Sequence, residues 1–177
     1  HPTISRRQRQ MCIRDSAVSV YRHMEFVRQC LYPKMDVQLI STTEAWAQFA
    51  IAGPNSRSVL TKIVDKEYDI SNEGFPFMAC GQITVCGGLR ARLFRISFSG
   101  ELAYELAVPT RYGDSLIREI MKAGEEFDIV PYGTEALGVM RIEKGHAAGN
   151  ELNGTTSALN LGMGLSLIHI SEPTRRT

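Results

Sequence analysis

Arg95-Ile96-Ser97-Phe98-Ser99-Gly100-Glu101-Leu102-Ala103-Tyr104-Glu105-Leu106 is the stretch that decides how this chain is read. Phe94, Ile96 and Phe98 alternate with Arg95 and Ser97, the period-2 pattern of a half-buried strand. Tyr104, Leu106 and Val108 repeat the pattern until Pro109 ends it. The expectation is strand, tight polar turn, strand. Glu101 then falls at the turn, and Glu105 points away from the apolar face of its strand. A carboxylate on rigid backbone can accept two parallel hydrogen bonds from a planar pair of N–H groups. The same pattern is also that of two solvated strand glutamates.

Working back toward the N-terminus, Ile83 and Val85, then Gly87-Gly88, then Leu89, Ala91 and Leu93 predict a hairpin with a two-glycine turn. The apolar set changes phase between Leu93 and Phe94, which predicts a β-bulge there. Ala45 to Ala52 reads as a buried strand of small residues, and Gly53-Pro54 as its junction to a helix carrying Val59, Leu60, Ile63 and Val64. Asn55 or Ser56 can cap that helix, and 65–69 is a charged surface connection. Val20, Met24, Val27 and Leu31 mark an amphipathic helix ended by Pro33, and Met35, Val37 and Leu39 a short strand.

Toward the C-terminus, 112–123 is a helix with Gly124 as its stop. Ile129-Val130 is extended, and Thr134 caps a helix reaching Lys144, stopped by Gly145. Arg141 and Lys144 suit the last turn of that helix, where cations favour the dipole. Residues 145–164 are rich in Gly, Asn, Thr and Ala and are expected to be an extended surface segment.

The two ends read differently. Residues 6–15 back-translate to a string ending ATG-TGT-ATA-AGA-GAC, and residues 165–175 to one beginning CTG-TCT-CTT-ATA-CAC-ATC. One string contains the reverse complement of the other, the property of a translated sequencing adaptor and not of two unrelated protein termini. Residues 1–16 and 165–177 are therefore expected to be foreign and unstructured, and are set aside from fold reasoning. The domain is 17–164, open at both ends.

Setting them aside changes the charge. The chain has 20 Lys+Arg and 19 Asp+Glu. Arg6, Arg7, Arg9, Arg14, Arg175 and Arg176 go with the ends, as do Asp15 and Glu172, so the middle is net acidic by three. No basic surface remains to argue for nucleic acid or an anionic membrane. No apolar run reaches membrane-spanning length. Cys30, Cys80 and Cys86 form neither a disulfide framework nor a zinc pattern, which fits a reducing, cytoplasmic setting.

Familiar chemistry is missing. Ser97 and Ser99 lie outside any Gly-x-Ser-x-Gly elbow. Neither a phosphate loop nor a dinucleotide fingerprint occurs, no metal constellation appears, and His23 and His146 have no evident partner. The residues alone support an α+β domain with an acidic hairpin.

Ser-Gly-Glu-x-x-x-Glu at 99–105 resembles the folate-binding hairpin of aminomethyltransferase-type proteins. Asp-Ile-Ser-Asn-Glu-Gly-Phe-Pro-Phe-Met at 69–78 and Arg-Ile-Ser-Phe-Ser-Gly-Glu at 95–101 are more particular. With Ala-Gly-Pro-Asn-Ser-Arg-Ser-Val-Leu, Pro-Tyr-Gly-Thr-Glu-Ala-Leu and Arg-Ile-Glu-Lys-Gly-His, they are similar to the C-terminal part of α subunits of heterotetrameric sarcosine oxidases. Leu102-Ala103 stands where glycine-cleavage aminomethyltransferases have Asp-Gly, and Phe98 where they usually have tyrosine.

The resemblance implies an α+β aminomethyltransferase fold, incomplete at both ends, with a tetrahydrofolate site. Glu105 matches the glutamate that holds the pterin, with Glu101 its competitor; Phe98 precedes the motif, Tyr132 lines the pocket, and Arg141 matches the family arginine near the folate. The implied reaction passes the one-carbon unit of oxidised sarcosine to tetrahydrofolate, giving 5,10-methylenetetrahydrofolate. Flavin and NAD are expected on other domains or subunits, and β, γ and δ subunits as partners. The family's catalytic aspartate lies upstream of this sequence, so no catalytic acid or base and no metal ligand is assigned, and the piece alone is expected to be inactive. Two other readings stand beside it: a glycine-cleavage aminomethyltransferase, and a folate-binding module without transferase activity.

Overall fold

A computed structural model describes residues 20–147 together with 151, 155–157, 159, 160 and 162. The two ends expected to be foreign, and half of 145–164, lie outside the described residues. Four strands form one antiparallel sheet in the order β1-β4-β3-β2: β1 is Trp46–Ala52, β2 Cys80–Val85, β3 Leu89–Phe94 and β4 Ala103–Pro109. The helices are α1 (Val20–Phe26, running into a π-turn over Val27–Leu31), α2 (Ser56–Ile63), α3 (Gly113–Gly124) and α4 (Thr134–Lys144). The architecture is α+β, as expected.

Alternation sorts the sheet into two unlike faces. Ile51, Ile83, Val85, Ala91, Leu93, Tyr104, Leu106 and Val108 share one core with Val59, Leu60 and Ile63 of α2 and Leu116 and Ile120 of α3. Those two helices bury the apolar stripe that their i, i+3, i+4 spacing supplies, so this layer follows from the sequence. The register then fixes the other face. Trp46, Gln48, Ala50 and Ala52 of β1, Ala103, Glu105 and Ala107 of β4, and Arg90, Arg92 and Phe94 of β3 all look away from the helices.

Several local expectations are corrected. Residues 35–39 pair with no strand among those described, and Met35 and Val37 stay exposed; alternation without a partner edge makes no strand. In β1 only Ile51 is buried, because one face of this edge strand is uncovered. Neither Asn55, Ser56 nor Thr134 caps its helix through a side chain; Ser56 Oγ instead donates to the Leu102 carbonyl at 3.0 Å. The β2–β3 loop has three residues, since Val85 pairs with Leu89 and Cys86 itself adopts φ 52°. Asp65 is a structural anchor of that loop, accepting from Thr84 Oγ1 at 2.5 Å and from Gly87 and Gly88 N–H at 2.9 Å. Gly124 does end the α-helix, as expected, and the chain runs on through a 3-10 turn at 125–127 until Asp128 reverses it at φ 53°. Gly145 does stop α4. Its φ of 79° lets Gly145 N–H reach the Ile142 carbonyl and His146 N–H the Arg141 carbonyl, the paired bonds of a Schellman motif.

The bulge is real but lies on the opposite segment. Pairing is regular through Cys80–Phe94. Beyond it, Met78 N–H donates to the Arg95 carbonyl and Arg95 N–H to the Ala79 carbonyl, so two residues face one. Met78 has φ 68°, the left-handed first position of a G1 bulge. The phase change at Leu93-Phe94 marks where the ladder ends, not where an extra residue enters.

Candidate functional site

The decisive stretch divides between a loop and a strand. Because β4 begins at Ala103 and Phe94 pairs with Glu105, residues 95–102 form an eight-residue connection in place of the expected second half-strand and tight turn. The loop is tied at both ends. Arg95 donates to the Phe75 carbonyl and to Asn72 Oδ1, each at 2.8 Å, and Asn72 Oδ1 also accepts from Arg57, whose Nε reaches the Tyr104 hydroxyl at 2.8 Å. At the other end, Gly53 N–H and Ser56 Oγ both donate to the Leu102 carbonyl. Between these anchors, Gly100 runs at φ 87° against Lys144, so close that a Cβ would lie 2.4 Å from its side chain. Glycine is required there on both counts.

Glu105 is the site's fixed point. It sits at the middle of β4 on the uncovered face, directly between Ala50 of β1 and Phe94 of β3. Its Oε2 accepts a hydrogen bond from Nε2 of Gln48, a β1 residue of the same face. Beyond Gln48, the indole of Trp46 carries the Arg92 guanidinium 3.8 Å above its ring centre. The small side chains Ala50, Ala52, Ala103 and Ala107 leave this part of the sheet low, so a flat ring can approach the carboxylate.

The other predicted residues are placed less uniformly. Glu101 is exposed within the loop. Phe98 is 40% exposed, and its carbonyl lies 3.2 Å from His146 Nδ1, with the two rings 6.2 Å apart. Arg141 is buried; one of its terminal nitrogens donates to the Glu151 carboxylate at 2.7 Å and to the His146 carbonyl at 3.1 Å. Phe98, His146, Arg141 and Glu151 therefore form one chain of contacts that joins the loop to the C-terminal end of α4. Tyr132, 39% exposed, precedes α4, and a rise of about 1.5 Å per residue puts it roughly 10 Å or more from Arg141 along the helix. The structure thus links Phe98 to Arg141 and leaves Tyr132 at the far end of the helix.

Two contributors were not visible in the sequence. His146 has a partner after all, in the Phe98 carbonyl. Gln48 lies 57 residues from Glu105, and only the register between edge and centre strands brings them together. A polar residue alternating into a strand of small apolar ones was its single trace.

The GCVT N-terminal domain model matches residues 3–168. The chain belongs to this family. Its members have the aminomethyltransferase fold and are folate-binding domains, as the sequence motifs implied. The chain is 54% identical over 149 residues to sarcosine oxidase subunit alpha of Rhizobium meliloti (strain 1021), covering 84% of this chain and 15% of that protein. It is 43% identical over 148 residues to the corresponding subunit of Corynebacterium sp. (strain P-1), covering 83% and 15%. Human mitochondrial sarcosine dehydrogenase is 36% identical over 113 residues, covering 64% and 12%. The chain thus spans about 15% of the length of the sarcosine oxidase subunits it matches. Among the described residues no helix is long and apolar enough to cross a membrane, and no group of His, Cys, Asp or Glu could hold a metal ion.

Proposed function

We propose that this domain binds tetrahydrofolate within a sarcosine oxidase α subunit and that Glu105 holds the pterin. The observation that carries the reading is the Glu105 carboxylate on the uncovered, alanine-lined sheet face, on rigid strand backbone and oriented by Gln48. A carboxylate has about four lone-pair directions. As an acceptor-only group it suits the pterin ring N–H and exocyclic amine, which form a planar donor pair. The residues present therefore fit the ligand. Phe98 offers an aromatic edge beside the loop, while Glu101, exposed and without a strand to stiffen it, is the weaker candidate. Arg141 acts from behind, holding the 146–151 segment against the loop through His146 and Glu151. Tyr132, at the opposite end of α4 from Arg141, joins the pocket in this reading on the family resemblance.

Tetrahydrofolate supplies the amines that accept the one-carbon unit of oxidised sarcosine, giving 5,10-methylenetetrahydrofolate. The chain's own contribution is to hold one reactant in place, so proximity is its catalytic device. No residue here is assigned as general acid or base. Oxidation of the amine belongs to flavin, with NAD, outside this domain, and the assembly includes β, γ and δ subunits. The cytoplasm is the compartment we assign, a setting that suits cysteines whose number and spacing make no disulfide framework. We take residues 17–164 as the domain proper, inside the 3–168 span that the family model matches.

The test is tetrahydrofolate binding by the full-length, assembled enzyme carrying Glu105→Gln or Glu101→Gln. A hydrogen bond to a charged group is worth about 1.5–3 kcal/mol, so Glu105→Gln is expected to weaken binding about tenfold to hundredfold. Glu101→Gln should change it only a few-fold. Unchanged binding by Glu105→Gln overturns the assignment.

A further inference from the structure

We infer that Asn72 is a positioning residue for the folate site, acting through the 95–102 loop whose two feet its side-chain oxygen holds together. The inference rests on the reading of that loop as one wall of the folate site. It gives a role to the 69–78 motif, which the site itself does not use.

Each foot of the loop has its own clamp. At the start, Arg95 N–H donates to the Ala79 carbonyl, and the Arg95 carbonyl accepts from Met78 N–H. The Arg95 guanidinium donates from one terminal nitrogen to the Phe75 carbonyl and from the other to Asn72 Oδ1, each at 2.8 Å. At the end, the first turn of α2 holds the chain. Ser56 Oγ donates to the Leu102 carbonyl, and Arg57 Nε to the Tyr104 hydroxyl at 2.8 Å. A terminal nitrogen of Arg57 then reaches Asn72 Oδ1 at 2.6 Å. Both clamps meet at that one oxygen. Between the feet the loop is held lightly: Gly100 N–H donates to Ser97 Oγ, the Phe98 carbonyl meets His146, and Ser99 Oγ is buried without a partner among the described residues. The placing of the feet therefore sets how Phe98 and Glu101 are presented beside β4.

The chemistry of the joint is specific. A guanidinium is a donor only, so the oxygen of Asn72, and not its amide nitrogen, must face both arginines. Two like charges converge on one neutral acceptor, and hydrogen bonds to charged groups are the stronger kind. Without the acceptor, repulsion alone is left between the two guanidinium groups. The rest of the motif braces Asn72. Asp69 Oδ1 accepts from Ser71 N–H at 2.8 Å, and the Ser71 carbonyl and hydroxyl accept from Phe75 N–H and Gly74 N–H, each at 3.0 Å. Asn72 is itself exposed, so substitutions there leave the core intact.

The experiment uses the full-length assembled enzyme and its Asn72→Leu, Asn72→Asp, Arg57→Met and Glu105→Gln variants, with the Asn72→Leu/Arg57→Met double. It reads tetrahydrofolate affinity and, without ligand, amide hydrogen exchange across 97–101. Asn72→Leu keeps the volume without the acceptor; it should speed exchange and weaken binding about tenfold. Asn72→Asp sets a carboxylate between the two arginines, and should slow exchange and bind at least as tightly as wild type. Lost packing cannot produce that reversal of sign. Because both single changes break one joint, the double variant should weaken binding by less than the product of the two. Equal losses in Asn72→Leu and Asn72→Asp, or independent effects in the double, overturn the positioning role. If Glu105→Gln loses binding while Asn72→Leu binds as wild type, the positioning role is wrong and the folate site stands. If Glu105→Gln binds normally, the pterin assignment falls, and the joint stands only if Asn72→Leu and Asn72→Asp still part in the stated directions.

Discussion

The two faces of the sheet obey different rules. The helix-covered face holds Leu93, Leu106, Tyr104 and Val108, none of them measurably exposed, against α2 and α3. The open face carries Glu105, Gln48 and the Trp46–Arg92 stack, and beside it lies the 95–102 loop. Both polar side-chain atoms that are buried without a partner among the described residues, Arg95 Nε and Ser99 Oγ, belong to that loop. Such atoms each cost about 1–3 kcal/mol. One face has been settled by packing alone, while the other keeps polar groups whose arrangement packing does not explain. Stability and binding should therefore separate cleanly between them.

The largest effect expected from breaking this separation is on the covered face. Leu93→Ala removes a fully buried side chain from the centre of the core and should cost about 2–5 kcal/mol of unfolding free energy. Glu105→Gln, on the neighbouring strand and opposite Phe94, the residue after Leu93, should leave the denaturation midpoint nearly unchanged. Chemical denaturation of both variants decides the matter. Equal destabilisation by the two would mean that Glu105 serves the fold and not a ligand.

How far the sequence revealed each face follows from what each depends on. α2 and α3 were legible because Val59, Leu60, Ile63, Leu116 and Ile120 recur at helical spacing, a property of consecutive residues. The β2–β3 hairpin was legible for the same reason. The loop was not. Phe94, Ile96 and Phe98 alternate as a strand would, yet alternation cannot say where the partner strand starts, and β4 starts only at Ala103. Met35, Val37 and Leu39 failed in the same way. Gln48 was out of reach because its role depends on register across two chain segments. Glu105, conversely, was singled out by a motif and falls on the open face that the strand's alternation gave it.

A smaller effect should appear at the acid end of the stability curve. Asp65 is held below the ordinary aspartate range by the Thr84 hydroxyl first, then by the Gly87 and Gly88 N–H groups, although partial burial opposes them. A carboxyl whose folded-state value is depressed contributes stability above its unfolded value and loses it as the pH falls through the folded one. Asp65→Asn should therefore flatten the stability–pH profile below the ordinary aspartate range and loosen the 86–88 loop. Thermal unfolding across that window tests it. Because this carboxylate anchors the β2–β3 loop, folate affinity should not move, which sharpens the division between fold and site.

The smallest effect probes the boundary between the two regions. Met78 occupies the left-handed first position of the bulge that faces Arg95, where a side chain is disfavoured by roughly 1–2 kcal/mol and glycine is not. Met78→Gly relieves that strain, at the cost of a half-buried side chain and of the extra backbone entropy that glycine gives the unfolded state. The balance should be a gain of at most about 1 kcal/mol, read as a small rise in the denaturation midpoint. The same bulge sets where Arg95 leaves the ladder, and hence where the 95–102 loop begins. If Met78→Gly raises stability and leaves tetrahydrofolate affinity alone, the bulge only ends the strand. If affinity falls while stability rises, the methionine's strain is part of how the loop is presented to the open face, and the separation between fold and site stops at the ladder's end.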